Sequence, residues 1–566
     1  MSRSERLYFI ADFNVETLAR YVANTTLADA ETALAPPGPI MPALAAGPPG
    51  PDWSAVVWTR PETTIEAFRR ALTCHEIDLD RALDEVRAYA AAIAQFAARA
   101  RSVFVPIWVS PPFERGLGML DYRPGIGQAQ LLARMNLALA DALRNHPSVF
   151  VLDAGRWFAS AGSRGWSQKL WYATKSPFTS AVIEHAASDI GAALDGIAGR
   201  ARRLVMLDLD NVLWGGVVGE VGWTGITLGG HDHVGEAFAD FQRALKTLAA
   251  RGVQLALVSR NDEATALEAI DRHPEMQLRR GDFAGWRINW EDKARNIADL
   301  LAELNLGSES AVFVDDSAIE RARVRSAIPD VLVPEWPEDP ARFREALGSL
   351  RCFDSPFLTG EDRTRTTMFA AERSRRSGLV AVASVEEWLE SLDIRVTVEP
   401  LADGNLDRAA QLFNKTNQMN LATRRLSKPE LEVWAAAPEH CLLTFRVCDR
   451  FGDSGLTGIV GLRFEGSEAH LVDFLLSCRV MGRHVEEAML HVAVAQCRAR
   501  RASTLRAEFR PTARNNPCLD FLRRSGLRAA AAAAENVFIW NASQPYERPR
   551  SVTVLDQTGV ATALDP

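Results

Sequence analysis

The sequence is poor in cysteine and has no long apolar run. Its seven cysteines form no CxxC pair and no metal-finger spacing, which argues against structural zinc and against a disulfide framework. No stretch approaches the roughly 20 apolar residues of a membrane helix, and the first residues lack the apolar core of a signal peptide. The formal net charge of −8 leaves no basic surplus for nucleic acid. We therefore expect a cytoplasmic protein with reduced thiols and with neither a membrane nor a nucleic acid as partner.

The patterning predicts several α/β domains, in keeping with a length of 566 residues. Short apolar runs alternate with amphipathic helical stretches near the N-terminus, which is typical of a parallel α/β sheet. A Pro/Gly-rich stretch over 35–51 interrupts them and is predicted to be a loop. The predicted organisation is an α/β domain over 1–200, a Rossmann-like domain over 201–355, a charged helical connector over 356–390, an α+β domain over 391–545 and a tail over 546–566.

Polar side chains end three predicted strands of the second domain. Asp208 and Asp210 end RLVMLDLD, Ser259 ends VQLALVS, and Asp315 and Asp316 end SAVFVDD. Doubly wound sheets bind ligands at this edge. Two carboxylates two residues apart lie on the same side of a strand and repel each other. A hard cation such as Mg²⁺ is therefore expected, with all four aspartates as its ligands.

A lysine completes the predicted phosphoryl site. Lys293 begins a helix in INWEDKARNI, where an ammonium would stabilise a phosphoryl-aspartate. Ser259 is expected to bond a phosphoryl oxygen, and Arg260 and Asn261 beside it are predicted to contact the substrate. Each element alone has a simpler explanation, such as a strand-end hydroxyl, a surface lysine or a helix N-cap. The ordered set favours the phosphoryl site.

This set resembles the four motifs of the haloacid dehalogenase superfamily of phosphatases. The resemblance implies that Asp208 attacks phosphorus to give an aspartyl-phosphate, and that Asp210 protonates the leaving oxygen and then activates water. Only the glycine-rich segment 214–233 is placed to fold over the site, because no large cap domain fits between the motifs.

Longer segments resemble the FkbH-like proteins of polyketide biosynthesis over nearly the whole chain. They are LDLDNVLWGGVVGEVG, SRNDE, INWEDKARNI, VFVDDSAIERARV, PEWPEDPARF, NKTNQMNLATRR and LLSCRVMGRHVEEAML. The resemblance implies transfer of a glyceryl unit from 1,3-bisphosphoglycerate to the thiol of an acyl carrier protein, with dephosphorylation. Val212, Val221 and Arg260 depart from the family's usual residues, so lactyl or another acyl unit stays open.

The third domain resembles the acetyltransferase-like domain of that family, related to N-acetyltransferases. In that fold a strand splays at a helix N-terminus, which binds the pyrophosphate of coenzyme A or a pantetheine arm. The matching residues begin with Arg479 and Gly482, which are predicted to bind substrate. His484 stands where a small residue lets phosphate approach. This departure favours acyl transfer to a carrier protein over acetyl-CoA binding.

Cys478 is the candidate acyl-carrying thiol, because Arg479 and a helix N-terminus would stabilise its thiolate. A cysteine that ends an apolar strand is also common as a small buried hydrophobe. Asn414, Asn417 and Arg424 are predicted to line the transfer cleft, with a hydrogen-bonded helix end as the alternative.

The N-terminal domain resembles the SGNH hydrolases but lacks their nucleophile. Its first strand ends in Ala11-Asp12-Phe13-Asn14, with no serine. A docking or structural role is therefore expected, and Trp166 and Trp171 serve either an interface or the core. Two other functions stay open for the whole chain: a phosphatase with an appended N-acetyltransferase, and a scaffold that recruits carrier protein.

Overall fold

Short, fully buried strands form the centre of each sheet in the computed structural model. The structure describes residues 5–27, 30–73, 77–230, 232–356, 385–512, 514–530 and 536–557. The chain divides into two compact units, Met1–Leu194 and Asp195–Pro566. Most of the predicted connector and the end of the tail lie outside the described residues. The same holds for most of the alanine run over 529–534, which the sequence predicts to be a turn or a helix end.

The first unit contains a five-stranded parallel sheet in the order β2-β1-β3-β4-β5. Its strands are β1 (Arg6–Ala11), β2 (Glu31–Leu34), β3 (Ser54–Trp58), β4 (Ser102–Pro106) and β5 (Val149–Leu152). The helices are α1 (Glu16–Tyr21), α2 (Ile40–Ala46), α3 (Pro61–Thr64), α4 (Glu66–Leu72), α5 (Leu79–Ala97), α6 (Gln128–Leu143), α7 (Ala154–Ala161), α8 (Gln168–Thr174) and α9 (Ser180–Ile197). The core lies between this sheet and α5 and α6.

The prediction of an irregular loop over 35–51 is wrong, because α2 lies inside it. Pro39 is the N-cap of α2 and Pro42 lies in its first turn, where backbone N–H groups have no partner inside the helix. Gly47, at a φ of +86°, ends the helix. The prolines therefore fit the start of a helix as well as they fit a loop.

The second unit contains a four-stranded parallel sheet in the order β8-β7-β6-β9. Its strands are β6 (Leu204–Leu207), β7 (Gln254–Ser259), β8 (Phe283–Ile288) and β9 (Ala311–Val314), and its helices are α10 (Val218–Val221), α11 (His233–Ala250), α12 (Glu263–Arg272), α13 (Lys293–Glu303), α14 (Ala318–Ala327) and α15 (Phe343–Ser349). Three of these helices, α12, α13 and α14, begin with a side-chain cap. Hydrogen bonds from the backbone N–H groups of their first turns are accepted by Asp262, Asp292 and Ser317, respectively. These caps fix where each helix starts beside the carboxyl edge of the sheet.

The same unit contains a nine-stranded sheet in the order β16-β17-β15-β14-β13-β12-β10-β18, with β11 paired to β14. The strands are β10 (Ile394–Pro400), β11 (Met419–Asn420), β12 (His440–Asp449), β13 (Gly452–Glu465), β14 (Glu468–Leu476), β15 (Thr504–Glu508), β16 (Arg528–Ala529), β17 (Val537–Asn541) and β18 (Val552–Asp556). The helices are α16 (Val385–Ser391), α17 (Asp403–Lys415), α18 (Lys428–Ala436), α19 (Val485–Ala499) and α20 (Asn516–Arg524).

Part of the predicted tail belongs to this sheet. β18 pairs in parallel with β10, and Val552 and Val554 are buried against the core. The alternation of apolar and polar residues in VTVLD accounts for this strand. The multidomain α/β class predicted from the sequence is confirmed.

Candidate active site

A buried ammonium joins two carboxylates at the carboxyl edge of the four-stranded sheet. Lys293, the first residue of α13, places Nζ 2.8 Å from Asp208 Oδ2 and 2.6 Å from Asp315 Oδ2. Asp208 follows β6 and Asp315 follows β9, and these strands are neighbours. All three residues are buried. Burial lowers the pKa of Lys293, but the two carboxylates outweigh it and hold the pKa above its usual value.

Three carboxylates lie close enough together to share a cation. One oxygen each of Asp208, Asp315 and Asp316 falls within 4.8 Å of the others. Burial, followed by repulsion from Asp208, raises the pKa of Asp315 to about 6 and raises that of Asp316 as well. One ammonium does not balance three acids, and a divalent cation with oxygen ligands would. The donor set therefore fits Mg²⁺.

Asp210 was predicted to be a fourth metal ligand, but its carboxylate is held by three protein donors. Oδ1 accepts hydrogen bonds from Trp214 Nε1 at 2.9 Å and from the Val218 backbone at 3.1 Å. Oδ2 accepts one from Asn261 Nδ2 at 2.8 Å. Its side chain lies outside the three-carboxylate group. Burial raises the pKa of Asp210 and the Asp208 charge adds to this, which suits a group that donates a proton.

The residues after β7 differ in what they contact. Ser259 is buried at the end of the strand, and its phosphoryl-binding role stays a prediction. Asn261 was predicted to contact substrate, and its amide instead positions Asp210. Arg260 was also predicted to contact substrate, and its guanidinium forms an ion pair with Glu320 at 2.7 Å. The sequence pattern therefore indicated that these three residues lie near the site, but it did not indicate which side chains Arg260 and Asn261 contact.

The glycine-rich segment over 214–233 begins as a packed turn. Trp214 is fully buried, and its indole N–H reaches Asp210. Gly215 and Thr227 exchange two backbone hydrogen bonds at 3.0 and 2.9 Å. The segment thus contributes a donor to the site, which the sequence pattern did not reveal.

Two of the three polar residues predicted for the transfer cleft hold the structure together. Asn414 donates to the carbonyls of Ala410 and Leu426, as the helix-end alternative implied. Arg424 makes a bidentate pair with the buried carboxylate of Asp473, with its Nε at 2.9 Å. The prediction that Asn414 and Arg424 face a substrate therefore has no support from their contacts.

The expected phosphate-binding loop is closed by its own side chains. The Gly482 backbone N–H donates to Glu486 Oε1 at 2.7 Å, so this carboxylate lies where a phosphate would. His484 has a φ of +60° and its Nδ1 lies 2.9 Å from Ser551 Oγ. The helix begins at Val485, seven residues after Cys478. Cys478 is instead the first residue of a short 3₁₀ helix, Cys478–Val480, and does not adjoin the N-terminus of α19 as expected.

Cys478 instead faces a cavity of about 780 Å³ in the second unit. Arg479 and Asn417, both predicted to bind substrate, also line it. Asn417 Oδ1 accepts a hydrogen bond from Arg425. The cavity adjoins residues at the amino edge of the four-stranded sheet, including Arg203 and Gln254. The sequence signal for it is the basic run RARR directly before β6.

The first unit has no nucleophilic serine at the equivalent strand end. Asp12 follows β1 and its carboxylate receives the Arg60 backbone N–H at 3.1 Å and the Arg60 Nε at 3.2 Å. The Arg60 guanidinium lies over the ring of Trp171 at 4.2 Å. Trp166 stacks on Phe158 at 4.8 Å. Trp166 and Trp171 thus have partners within the first unit, and both are only partly buried.

Comparison with solved structures shows a substantial likeness to a protein of known fold. It is the N-terminal part of the protein BF1531 from Bacteroides fragilis, which contains a phosphatase domain and was complexed with Mg. The TM-score is 0.58 and the identity 25%, over 62% of this chain and 95% of that chain. The chain shares the fold of that Mg²⁺-complexed protein. No family model and no curated protein matches the chain.

Acetyltransferase structures also match, with low scores. PaiA N-acetyltransferase from Thermoplasma acidophilum, in complex with coenzyme A, has a TM-score of 0.20 and 13% identity, over 26% of this chain and 98% of that chain. A likeness of this size supports no functional statement. Within the part of the chain that the structure describes, no helix is long and apolar enough to span a membrane.

Proposed function

We propose that the chain transfers a glyceryl unit from 1,3-bisphosphoglycerate to the phosphopantetheine thiol of an acyl carrier protein, and removes the remaining phosphate at Asp208. The observation that carries the phosphatase part is the Lys293 ammonium between Asp208 and Asp315. The acyl-transfer part rests on the resemblance to FkbH-like proteins and on the position of Cys478 beside a cavity.

The phosphatase step uses the side chains at the carboxyl edge of the sheet. An oxygen of Asp208 bonds to phosphorus while the bond from phosphorus to the ester oxygen breaks, and Asp210 gives its proton to that oxygen. Water then attacks phosphorus, Asp210 takes a proton from it, and Asp208 and inorganic phosphate are released. Lys293 offsets the negative charge throughout. Bound Mg²⁺, held by Asp208, Asp315 and Asp316, would supply further positive charge to the phosphoryl oxygens.

The acyl step uses Cys478. Its sulfur bonds to the carbonyl carbon of the acyl phosphate, the carbon–oxygen bond to phosphate breaks, and inorganic phosphate leaves with the electron pair. The thiol proton passes to solvent. The carrier thiol then attacks the thioester and restores the Cys478 thiol, so the acyl group ends on the carrier.

The alternative of an appended N-acetyltransferase has two observations against it. In the fold that the third domain resembles, the cofactor arm enters where two parallel strands splay. Here β14 and β15 pair only as far as Leu471 and Ala507, and β11 fills the gap beyond by pairing with β14. On the side of β11 that faces away from β14, the Arg510 backbone N–H donates a hydrogen bond to the Leu421 carbonyl at 2.9 Å. The Gly482 N–H is also already bonded to Glu486.

The deciding experiment is the intact mass of a phosphopantetheinylated carrier protein, after incubation with enzymatically generated 1,3-bisphosphoglycerate and Mg²⁺. A glyceryl adduct supports the proposal. Release of phosphate without any adduct on the carrier would leave a phosphatase alone. Heat stabilisation by acetyl-CoA but not by a carrier would restore the acetyltransferase alternative.

A further inference from the structure

A strongly basic cavity lies at the amino edge of the four-stranded sheet. We call it the arginine cavity; its volume of about 780 Å³ is within the range of small-molecule sites. Seven Lys or Arg residues and two Asp or Glu residues line it, in a chain whose net charge is −8. Both acids are already paired, Asp195 with Arg200 at 2.7 Å and Glu309 with Arg514 at 3.0 Å. The lining therefore carries an excess of positive charge.

Arg203 has no carboxylate partner among the described residues of the chain. Among the described residues, its guanidinium donates one hydrogen bond, to the Gly199 carbonyl at 3.4 Å. Burial lowers the pKa of Arg203; Cys478 and Glu309 act to raise it, and Arg514 and Arg479 to lower it further. Arg203 thus lies close enough to Arg479, Arg514 and Cys478 to interact electrostatically with each of them, and all four residues line the cavity. An anion would relieve the mutual repulsion of the arginines.

Two amide oxygens in the lining lack a donor. Gln254 is 2% exposed and its Oε1 has no hydrogen-bond partner among the described residues, and the same holds for Oε1 of Gln418. A buried acceptor left without a donor costs about 1 to 3 kcal/mol. Neither oxygen is accessible as placed, so each side chain must turn toward the cavity to meet a ligand. A ligand with hydroxyl or amide N–H groups would then supply the missing donors, and its negative charge would pair with the arginines.

From this combination we infer that the arginine cavity binds a phosphate monoester with hydroxyl or amide donors, and places it beside Cys478. Arg203 and Arg514 contact the phosphate, since guanidinium binds phosphate oxygens through charge-assisted hydrogen bonds. The inference rests on the proposed function only for the choice of ligand. Two sources share this chemistry: the phosphorylated acyl donor, and the phosphopantetheine arm of a carrier.

The test is protection of Cys478 from alkylation, followed by peptide mass spectrometry on the full-length protein. EDTA is present so that the metal site does not contribute, and Asp208→Asn is tested in parallel. We expect 3-phosphoglycerate to slow alkylation of Cys478 in both proteins and glycerate to have no effect. Lack of protection, or equal protection by glycerate, would overturn the inference.

Arginine variants identify the phosphate contacts. Arg203→Met and Arg514→Met should each raise the half-protecting concentration about tenfold or more. Arg514 is half-exposed in its ion pair, so its variant keeps the test informative if Arg203→Met fails to fold. Arg344→Met is the matched control, because Arg344 is an exposed arginine paired with Asp240 at 2.6 Å. Unchanged protection in both cavity variants would contradict the assignment.

A third arm separates the two ligand sources. Phosphopantetheine with a methylated thiol that protects at lower concentration than 3-phosphoglycerate would assign the cavity to the carrier arm; the reverse would assign it to the donor. Both results support a phosphate-monoester site. The alkylation assay contains no carrier protein and measures binding alone. Lack of protection would therefore overturn the binding inference without testing acyl transfer.

Discussion

Arg203 and Asp208 lie at opposite ends of the same strand. Arg203 directly precedes β6 and lines the arginine cavity, whereas Asp208 directly follows it and contacts Lys293. Five residues of extended chain separate them by roughly 16 Å at about 3.3 Å per residue. A three-carbon substrate cannot reach both ends at once. If the chain carries out both proposed reactions, acyl transfer and dephosphorylation are therefore separate events.

This separation predicts that each step survives the loss of the other. Asp208→Asn should still form an acyl-enzyme, and intact mass should show the adduct with its phosphate retained. Cys478→Ala should form no adduct, yet it should release phosphate from a free phosphate ester at close to the wild-type rate. Cys448→Ala is the control, since Cys448 is also a partly buried free thiol. An adduct that persists in Cys478→Ala would discard this cysteine as the acyl carrier.

Replacement of Lys293 is expected to slow phosphate release strongly. Lys293→Met leaves the buried Asp208 and Asp315 carboxylates without their shared ammonium, so both charge stabilisation and site geometry are lost. We expect a loss of about 10² to 10³ in kcat, measured as Mg²⁺-dependent phosphate release. Lys246→Met is a matched control because Lys246 is half-exposed, 3.8 Å from Asp282. A loss of similar size in the control would mean that the effect is not specific to the site.

Asn261 is expected to act as a positioning residue for Asp210. Asn261→Ala removes the donor to Asp210 Oδ2, and Asn261→Asp keeps the shape but sets a carboxylate against a carboxylate. We expect kcat to fall about tenfold in the first variant and further in the second, with KM nearly unchanged in Asn261→Ala. Steady-state kinetics check this split. If KM rises and kcat holds, Asn261 contacts substrate, as the sequence alone suggested.

The sequence was sufficient to predict that Asp208, Lys293, Asp315 and Asp316 lie together at the carboxyl edge of the sheet. Strands β6, β7 and β9 are uninterrupted apolar runs with polar residues at their ends, and parallel strands bring those ends together. Strand β8 escaped prediction because it lies at the sheet edge, where Trp286 and Arg287 are only partly buried and the apolar run is broken. The hydrogen bonds of Asp210 to Trp214 and Asn261 could not be predicted, because these partners are set by tertiary packing.

The features of the third domain were less accessible from sequence. Strand β11 has two residues, too few to show a period, and its place depends on the gap between β14 and β15. The arginine cavity combines residues more than 200 positions apart, such as Arg203 and Arg479. No local pattern reports such a combination. The bond from Gly482 to Glu486 could have been suspected, because a glutamate four residues on lies in the first turn of the helix.

Arg424 is expected to contribute stability through Asp473, and not to bind substrate. Asp473 is 1% exposed, so Arg424→Met leaves a buried, unpaired carboxylate at a cost of about 3 to 5 kcal/mol. Chemical unfolding should show this loss at neutral pH. Arg446→Met, whose pair with Asp453 is exposed to solvent on both sides, should stay within about 0.5 kcal/mol of the wild type.

The loss in Arg424→Met should depend on pH in a stated direction. Burial raises the pKa of Asp473, and Arg424 lowers it, so removal of Arg424 raises the pKa further. A carboxyl group whose pKa is higher in the folded state than in the unfolded state binds more protons when folded. The stability of the variant therefore falls as pH rises above the unfolded value, and the deficit shrinks toward pH 4. Adding Asp473→Asn to Arg424→Met should remove this pH dependence. A deficit that is constant from pH 4 to 7 would show that the loss comes from packing of Arg424 on Trp434, 4.9 Å away, and not from the charge of Asp473.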